Sequence, residues 1–394
     1  MKKKIAILIV CMACMQLHAQ IRYQKFYDND KTQPSVEGMM TDDSVRVGDW
    51  TWWHPNGRVY QQGSYTNGQK TGIWKVYYDN GKRCAEECHS GNGTTRTWHQ
   101  NGRLQSEIEV VNGKKNGTYR SWYANGKPKD EFPFENGIRE GKAKEWHPNG
   151  QLKFEGTYVD DELEGLGTWW LNNGKLDMKG NLVHGEQEGE WFFYWRTTGV
   201  LGIKGIYRQG VENGKWTYFY DTGERWREGM YTNGDRQGQW TTWYESGAKL
   251  HEGSYSAGKE SGTWTSWYED GRVDYVGTFR NGMKNGEWIG YYDDGRTRYV
   301  MHYRDDVKDG EEVRYFPNGK IETRCNYKDG NYDGKYERYN TAGKPEETGS
   351  FVNGEKEGKW VFYDERGGEG MVAKFEGGKM VSMQDNTPQI KSKK

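Results

Sequence analysis

Aromatic and glycine positions recur along this chain with a period of 24 residues. In fourteen segments an opening glycine precedes an aromatic residue by five positions, and eleven of the thirteen intervals between these glycines are 24 residues, the others being 21 and 25. A fixed period of this length is typical of a repeat protein. The opening glycines are Gly48, Gly72, Gly93, Gly117, Gly141, Gly165, Gly189, Gly214, Gly238, Gly262, Gly286, Gly310, Gly334 and Gly358.

Each repeat predicts one β-hairpin. Counted from the opening glycine, position two is Trp in eight repeats, position nine is usually a second glycine after Asn, Asp or Ser, and an aromatic residue stands near position seventeen. Asn-Gly or Asp-Gly between aromatic-rich runs is a strong hairpin signal, because both central residues of a type I′ turn need positive φ. We therefore predict a strand, a short turn at position nine, a second strand and a longer glycine-containing turn.

A two-residue first turn would fix which residues face each other across the hairpin. The tryptophan at position two would then pair with the glycine at position fifteen, as in Trp240 with Gly253 and Trp264 with Gly277. A large ring over a glycine fills the space that the missing side chain leaves. We therefore expect each of these rings to cover the glycine with which it pairs.

Fourteen hairpins predict an all-β chain that forms an elongated, curved, single-layer antiparallel β-meander. Composition agrees with a thin structure, since only 33% of the residues are hydrophobic while 15% are aromatic. The predicted organisation is a signal peptide at 1–19, a degenerate N-terminal capping repeat at 20–47, the repeat array at 48–378 and a mobile C-terminal tail at 379–394.

The N-terminal sequence predicts export. Three lysines at 2–4 precede an apolar run at 5–15, which is too short to span a bilayer, and Ala19 fits the residue before a cleavage site. We expect the mature chain in the periplasm, at the outer membrane or outside the cell, with no transmembrane segment after cleavage. A lipoprotein anchored through Cys11 or Cys14 is the alternative, which the residues preceding each cysteine disfavour.

The order of residues within the repeat resembles a known family. The pattern G-x-W-x-x-[WY]-[YH]-x-[ND]-G-[KR], followed by G-x-Y-x-x-G-x-x-x-G, resembles the MORN-repeat variant found in bacterial antitoxins of the YwqK type, and residues 238–262 carry it cleanly. The resemblance covers residues 48 to about 378. It implies a scaffold that binds proteins or lipids, or an antitoxin that neutralises a toxin, and it implies no catalytic residue. A signal peptide departs from the pattern of a cytoplasmic antitoxin.

Histidines and cysteines do not predict a metal site. His54, His99 and His147 share one repeat position but are separated by two repeats, roughly 20 Å, whereas zinc ligands lie about 2.1 Å from one ion. We interpret them as substitutes for tyrosine at that position.

The mature chain would retain three cysteines, and because this number is odd they cannot all form disulfides within one chain. Cys84 and Cys88 would lie about 13 Å apart on one strand, too far to be bridged. We interpret these two and Cys325 as structural thiols.

Motifs and charge narrow the functional classes. The chain has no G-x-S-x-G, no H-E-x-x-H and no P-loop, so we predict no enzyme activity, catalytic residue or cofactor. The formal net charge is −1 with the signs intermixed, which gives a nucleic-acid partner no electrostatic support.

Aromatic residues are the main candidates for binding. Strand alternation places some rings on the face opposite the packed set, where Trp and Tyr are effective anchors for a protein partner. The alternative is that both sets are buried beneath Lys and Arg stems. We predict an exported, non-catalytic scaffold for protein–protein interaction. A YwqK-type antitoxin or immunity protein, and a membrane-surface lipid or glycan binder, are the alternatives. The candidate binding residues are Trp53, Trp98, Trp122, Trp146, Trp170, Trp243, Trp267 and Tyr291.

Overall fold

Successive β-hairpins make up the whole of the described chain. The computed structural model describes residues 19–386, which divide into two compact units between Lys175 and Leu176. In each unit the strands follow one another as an open antiparallel meander, and no helix occurs within the described residues. The all-β class and the tandem hairpins predicted from the 24-residue period are confirmed. The predicted signal peptide, apart from Ala19, lies outside the described residues.

Fourteen strands form the first unit and nineteen form the second. The first unit contains β1 (Gln20–Phe26), β2 (Pro34–Thr41), β3 (Arg46–Trp53), β4 (Val59–Thr66), β5 (Gln69–Tyr77), β6 (Arg83–Cys88), β7 (Gly93–Trp98), β8 (Leu104–Val111), β9 (Lys114–Trp122), β10 (Pro128–Glu135), β11 (Ile138–Arg139), β12 (Gly141–Trp146), β13 (Leu152–Val159) and β14 (Glu162–Trp170). The second unit contains β15 (Leu176–Val183), β16 (Glu186–Tyr194), β17 (Leu201–Arg208), β18 (Val211–Phe219), β19 (Arg225–Thr232), β20 (Asp235–Trp243), β21 (Lys249–Ser256), β22 (Lys259–Trp267), β23 (Val273–Arg280), β24 (Met283–Tyr291), β25 (Thr297–Arg304), β26 (Val307–Lys308), β27 (Gly310–Tyr315), β28 (Ile321–Lys328), β29 (Asn331–Tyr339), β30 (Pro345–Val352), β31 (Glu355–Tyr363), β32 (Glu369–Glu376) and β33 (Lys379–Asp385).

The two turns of each repeat occur in the reverse of the predicted order. At the first turn, Tyr244 donates its backbone N–H to Ala248 O at 2.8 Å, and only Gly247 has positive φ, +87°. This geometry defines a three-residue loop that ends in a glycine bulge. At the second turn, Asn67 and Gly68 have φ of 49° and 77°, so this two-residue turn is the type I′ one. The Asn-Gly or Asp-Gly pair at position nine does mark a hairpin, but its turn is a three-residue loop and not the predicted type I′ turn.

Thirteen of the fourteen opening glycines, all except Gly93, have positive φ, and the strand pairing shows why. Between β21 and β22 the register shifts so that one residue, Gly253, faces the three residues 262–264. Gly262 accommodates the extra length with a φ of +71°, a conformation that residues with a Cβ rarely adopt. The opening glycine of a repeat is therefore needed to form this bulge.

The tryptophan at position two leans over the bulge towards the preceding strand. Trp264 pairs with Gly277 across its own hairpin, as expected. Its ring, however, lies on Gly253 of the preceding repeat, where an added Cβ would be 2.1 Å from ring atom Cδ2. The indole N–H then donates to Ser254 O at 3.2 Å. The prediction that Trp240 covers Gly253 and that Trp264 covers Gly277 is therefore wrong, because the bulge turns each ring the other way.

Tryptophan and glycine occur together along the chain. Eight repeats have Trp at position two, and every one of these rings lies on a glycine of the preceding strand pair: Trp50 on Gly38, Trp74 on Gly63, Trp191 on Gly180, Trp216 on Gly205, Trp240 on Gly229, Trp264 on Gly253, Trp288 on Gly277 and Trp360 on Gly349. Where position two is not Trp, larger residues fill the glycine position, as with Ile108 before Tyr119 and Met301 before Glu312. Gly156 is an exception, and the ring of Phe154 covers it.

In successive repeats with tryptophan at position two, these rings form a row with the aromatic residue at position seventeen. Tyr255 meets Trp240 at 5.9 Å and 79°, and meets Trp264 at 5.2 Å and 90°, so each tyrosine packs edge-to-face between two tryptophans. Trp240 and Trp288 are only 2% and 4% exposed. We call the side of the strands that carries these rings the tryptophan face and the opposite side the open face.

Both ends of the described chain are paired. Gly38 of the predicted capping repeat receives the first ring, Trp50, and Tyr23 of β1 packs against that ring at 5.5 Å. Residues 379–385, which the sequence placed in a mobile tail, instead form β33 and pair with β32. Residues 387–394 lie outside the described residues.

The ring-on-glycine contact predicts a strongly coupled pair. Gly253→Ala should cost about 2–4 kcal/mol because its Cβ overlaps the indole, and Trp264→Ala about 3–5 kcal/mol through lost burial. The double variant should cost at least about 1 kcal/mol less than the sum. Denaturant unfolding with hydrogen exchange of β21 and β22 measures this.

Ala373 provides the matched control, since it occupies position fifteen of the last repeat and no tryptophan follows it. Ala373→Gly should lower the free energy of unfolding by about 0.5–1 kcal/mol through backbone entropy, opposite in direction to the change at Gly253. If the losses of unfolding free energy for Gly253→Ala and Trp264→Ala were additive in the double variant, the two residues would not be in energetic contact.

Candidate binding face

The eight aromatic residues predicted to bind a partner all lie at position five and are half-buried. Trp243 lines a shallow depression of the open face together with Thr241 and Glu252. Cationic side chains lie over several of these rings, with the Arg225 guanidinium 4.9 Å from the ring centre of Trp243. The rings are therefore neither fully free nor fully covered, and their role in binding stays a prediction.

An apolar row crosses the open face of the second unit beside these rings. The row runs in register from Thr265 to Val276, Ile289, Val300 and Val313. Val313 is 6% exposed, and the three residues before it are half-buried. We define the apolar stripe as Val276, Ile289 and Val300 together with Trp267 and Tyr291, which lie two residues further along β22 and β24.

The sequence contained a signal for this stripe that the aromatic pattern obscured. Positions three and fourteen pair across each hairpin, and in most repeats they carry Thr, Lys, Arg or Glu. Position fourteen of the repeat opened by Gly262 is Val276, and both positions of the repeat opened by Gly286 are β-branched and apolar, Ile289 and Val300. The last repeat carries a similar pair, Val361 and Val372. Comparing the same position between repeats would have found the stripe.

The shared histidine position serves to connect neighbouring repeats. His54 Nε2 lies 3.0 Å from Tyr77 O of the next repeat, and His99 Nε2 lies 2.8 Å from Trp122 O. Tyrosine at the same position makes the equivalent bond, as when Tyr244 OH donates to a carbonyl at 3.0 Å. Histidine therefore replaces tyrosine here as a hydrogen-bonding ring. Among residues 19–386, no group of three His, Cys, Asp or Glu side chains is arranged to hold a metal ion.

One repeat replaces the buried tryptophan by a charged cluster. Glu312 occupies position two and is 2% exposed, and Lys308 Nζ donates to its carboxylate at 2.6 Å while Arg314 Nε donates to its other oxygen. Burial alone would raise the pKa of Glu312, but the hydrogen bonds from Lys308 and Arg314 outweigh it and hold the pKa below its ordinary 4.5. A carboxylate so fully engaged acts as structure within the tryptophan face.

The three thiols differ in their surroundings. Cys325 is buried beside the charged cluster at position fifteen, whereas Cys84 and Cys88 are half-buried, and all three are free. Burial, with the nearby Glu312 carboxylate, raises the pKa of the Cys325 thiol to about 12. A thiolate is the reactive form, so Cys325 is held inert.

Removing the buried carboxylate of Glu312 should destabilise the fold, and the loss of stability should depend on pH. Glu312→Gln should lower the free energy of unfolding by about 2 kcal/mol at neutral pH, because Lys308 and Arg314 lose their counter-charge. Because the pKa of Glu312 is lower in the folded chain than its ordinary value, the carboxylate stabilises the fold fully above pH 4.5. That stabilisation is lost as the pH falls through the pKa of Glu312 in the folded chain. The difference between wild type and Glu312→Gln in urea unfolding should therefore shrink in acid.

Glu311→Gln, at the exposed neighbour paired with Arg324 at 3.4 Å, is the control and should cost under about 1 kcal/mol. An acid-independent difference for Glu312→Gln would refute the depressed pKa.

Thiol alkylation tests the assignment of the cysteines. In the native chain iodoacetamide should modify Cys84 and Cys88 at least about a hundredfold faster than Cys325, whose thiolate is suppressed. Peptide mass spectrometry over time measures the rates, with urea-unfolded chain as the control in which all three react alike. Rapid native labelling of Cys325 would show that the cluster opens.

Comparison with known proteins agrees with the hairpin repeats. Six segments match a family model described as MORN repeat variant, at residues 46–67, 70–89, 115–136, 139–160, 212–233 and 308–329. No curated protein sequence matches this chain. Crystal structures titled TcdB2-TccC3-Cdc42 and TcdB2-TccC3 align with 9% and 10% identity over 93% of this chain, each with a TM-score of 0.16.

A Tc holotoxin pore from Photorhabdus luminescens aligns with 11% identity over 91% of this chain, also with a TM-score of 0.16. This chain covers 23%, 24% and 22% of the length of the three aligned chains, in the order given, and TM-scores this low establish no common fold. The repeat matches do establish the nature of the array. Residues 46–329 contain six matches to one repeat variant, spread over both units, and the chain is a MORN-repeat protein.

Proposed function

We propose that this MORN-repeat protein is an exported, non-catalytic scaffold that binds another protein through the apolar stripe of its second unit. The single observation that carries the proposal is the row of Val276, Ile289 and Val300 on the open face. These side chains are half-buried although the tryptophan face already supplies the packed interior. Partly exposed apolar rows of this kind are a feature of interaction surfaces.

Rings beside the row strengthen the case for a protein partner. Trp267 and Tyr291 flank the stripe, and aromatic side chains next to aliphatic ones are the usual centre of a protein interface. Lys249 Nζ lies 5.5 Å from the ring centre of Trp267, so a charged rim adjoins the apolar centre.

The geometry of the stripe favours a broad partner over a small ligand. Strands β23, β24 and β25 present it side by side, over roughly 10 Å between the outer strands. A small-molecule site is normally a concave pocket with convergent polar groups, whereas this surface is a row on a sheet. The stripe itself carries no carboxylate, imidazole or thiol, which is consistent with binding without catalysis.

Export rests on the sequence pattern at residues 1–19, and it places the partner in the cell envelope or outside the cell. Two other classes follow from the same surface. A toxin partner would make the chain an antitoxin of the YwqK type, and binding of lipid or glycan would use the rings without the aliphatic row. The experiment below separates these classes.

Capture with matched variants tests the proposal. Residues 20–394, cross-linked in the envelope fraction of the source cell, should retain one dominant protein in stoichiometric amount. Ile289→Lys with Val300→Lys should weaken that capture at least about tenfold by placing two charges in the apolar centre. Trp53→Ala, at the same repeat position as Trp267 but in the first unit, is the control and should leave capture intact.

Near-UV circular dichroism must show that both variants keep the ring packing of the wild type. Equal capture by wild type and the stripe variant would refute the stripe as the binding site. Recovery of a lipid or glycan in place of a protein would show that the chain is a lipid or glycan binder instead of a scaffold for a protein.

A further inference from the structure

A row of alternating charges crosses the open face of the first unit. Positions three and fourteen pair from strand to strand, and over eight neighbouring strands (β5 to β10, β12 and β13) the sign changes at every step. The row ends at neutral residues on both sides, Gln62 and Thr168. We call it the charge ladder, and its members in order are Lys75, Glu86, Arg96, Glu107, Arg120, Glu131, Lys144 and Glu155.

Ion pairs within the sheet join most members of the ladder, and most of these pairs lie at the surface. Arg120 Nε lies 3.3 Å from Glu131, with side chains 47% and 40% exposed, and Glu86 pairs with Arg83 at 3.0 Å. Arg96 Nε lies 3.5 Å from Glu107, and their side chains are 41% and 30% exposed. Lys144 Nζ lies 4.0 Å from Glu155, with both side chains 41% exposed. Half-exposed pairs of this kind contribute about 0–1 kcal/mol each, so their stabilisation of the sheet is small. Apart from Glu86, whose side chain is 16% exposed, the paired charges of the ladder remain accessible to a partner.

An alternating ladder with an even number of charges is complementary to itself when reversed. Its midpoint lies between Glu107 of β8 and Arg120 of β9. Rotation by 180° about an axis parallel to the strands, through that midpoint, places Lys75 opposite Glu155 and brings every other charge opposite its counter-charge. A two-fold axis perpendicular to the strands within the same plane would place like charges opposite each other, which is costly.

We infer that two copies of this chain pair through the open faces of their first units, with the two-fold axis parallel to the strands between β8 and β9. This arrangement is isologous, since the same patch serves both copies. Eight strands at about 4.8 Å spacing and about 20 Å of strand length give at most roughly 800 Å² per copy, which is about the size of a standard interface.

The aromatic residues at position five fit between the strands of the facing copy. Trp98, Trp122 and Trp146 stand on β7, β9 and β12. The rotation sets these strands opposite β10, β8 and β6, which carry no aromatic residue at that level. The rings of the two copies therefore interleave instead of colliding.

Charges and rings have separate roles in the pairing. Ion pairs buried between proteins gain little net affinity because their desolvation cost offsets the attraction, but they fix register and exclude wrong partners. The interleaved tryptophans supply the apolar contact that favours association. This pairing is independent of the proposed function, which uses the open face of the second unit.

Hydrodynamic measurement of residues 20–394 is the first test. Analytical ultracentrifugation at low salt should show dimers at micromolar concentration. The dissociation constant should rise severalfold between low and high salt through slower association, because salt screens the attraction between the two ladders. A monomer at every salt concentration would overturn the inference.

Inverting the ladder tests the geometry. A chain with all eight signs reversed keeps opposite charges side by side in its sheet and keeps its self-complementarity, but it presents like charges to the wild type. The substitutions are Lys75→Glu, Glu86→Lys, Arg96→Glu, Glu107→Arg, Arg120→Glu, Glu131→Arg, Lys144→Glu and Glu155→Lys. In the inferred arrangement the inverted chain should therefore pair with itself and not with the wild type, whereas an axis perpendicular to the strands would make the two chains complementary.

Mixed dimers are read by native mass spectrometry after exchange of tagged and untagged chains. Random exchange would put about half of the dimers in mixed pairs, and the inference predicts under about a tenth. Lys374→Glu with Glu376→Lys inverts an exposed pair of the second unit, 2.8 Å apart, and should mix freely with wild type. Free mixing of the inverted ladder would refute the charge pairing.

A smaller variant covers the case in which the inverted chain does not fold. Arg120→Glu should weaken self-association at least about tenfold, since it sets like charges across the axis twice. Adding Glu107→Arg should restore pairing, although the double variant places like charges beside Arg96 and beside Glu131 within the sheet. Failure of this rescue in a folded double variant would also contradict the inference.

Discussion

The fold depends on one contact, the indole of position two lying on a bare glycine of the strand before it. A Cβ at Gly253 would stand 2.1 Å from the Trp264 ring, so the two residues require each other. The bulge at each opening glycine directs the ring there, and the indole N–H completes the contact by bonding the neighbouring carbonyl. Repeated along the chain, this contact sets the spacing of the glycines and gives a single layer of strands an interior.

Because the tryptophan face supplies the packed interior, the residues on the open face can differ between repeats. Positions three and fourteen take no part in the ring contacts, and they differ between the units, with the charge ladder in the first and the apolar stripe in the second. Two kinds of recognition, one by charge and one by apolar contact, are thereby separated on one scaffold. The Glu312 cluster shows that even a repeat without its tryptophan keeps the strands in register when Lys308 and Arg314 satisfy the buried carboxylate.

Periodicity alone predicted the hairpins, the single layer and the exchange of His54 for tyrosine, because those features follow from spacing and strand alternation. It could not assign the turn types, since Asn-Gly fits both a type I′ turn and the glycine bulge that Gly247 forms. It also paired Trp264 with the wrong glycine, because a bulge of two residues leaves no mark in a 24-residue period. The open-face rows needed the observed register, which joins residues from neighbouring repeats.

The most direct test of the ring-on-glycine contact is to create it where the chain lacks it. Met301→Gly together with Glu312→Trp should seat the new indole on residue 301, under Lys308, much as Lys284 Nζ lies 4.5 Å from the Trp288 ring centre. A crystal structure of the double variant should show that ring on the glycine, with an unfolding free energy at least equal to that of the wild type, while Glu312→Trp alone is destabilised by the Met301 side chain. A ring that points away from residue 301, or a single variant as stable as the double, would contradict the account.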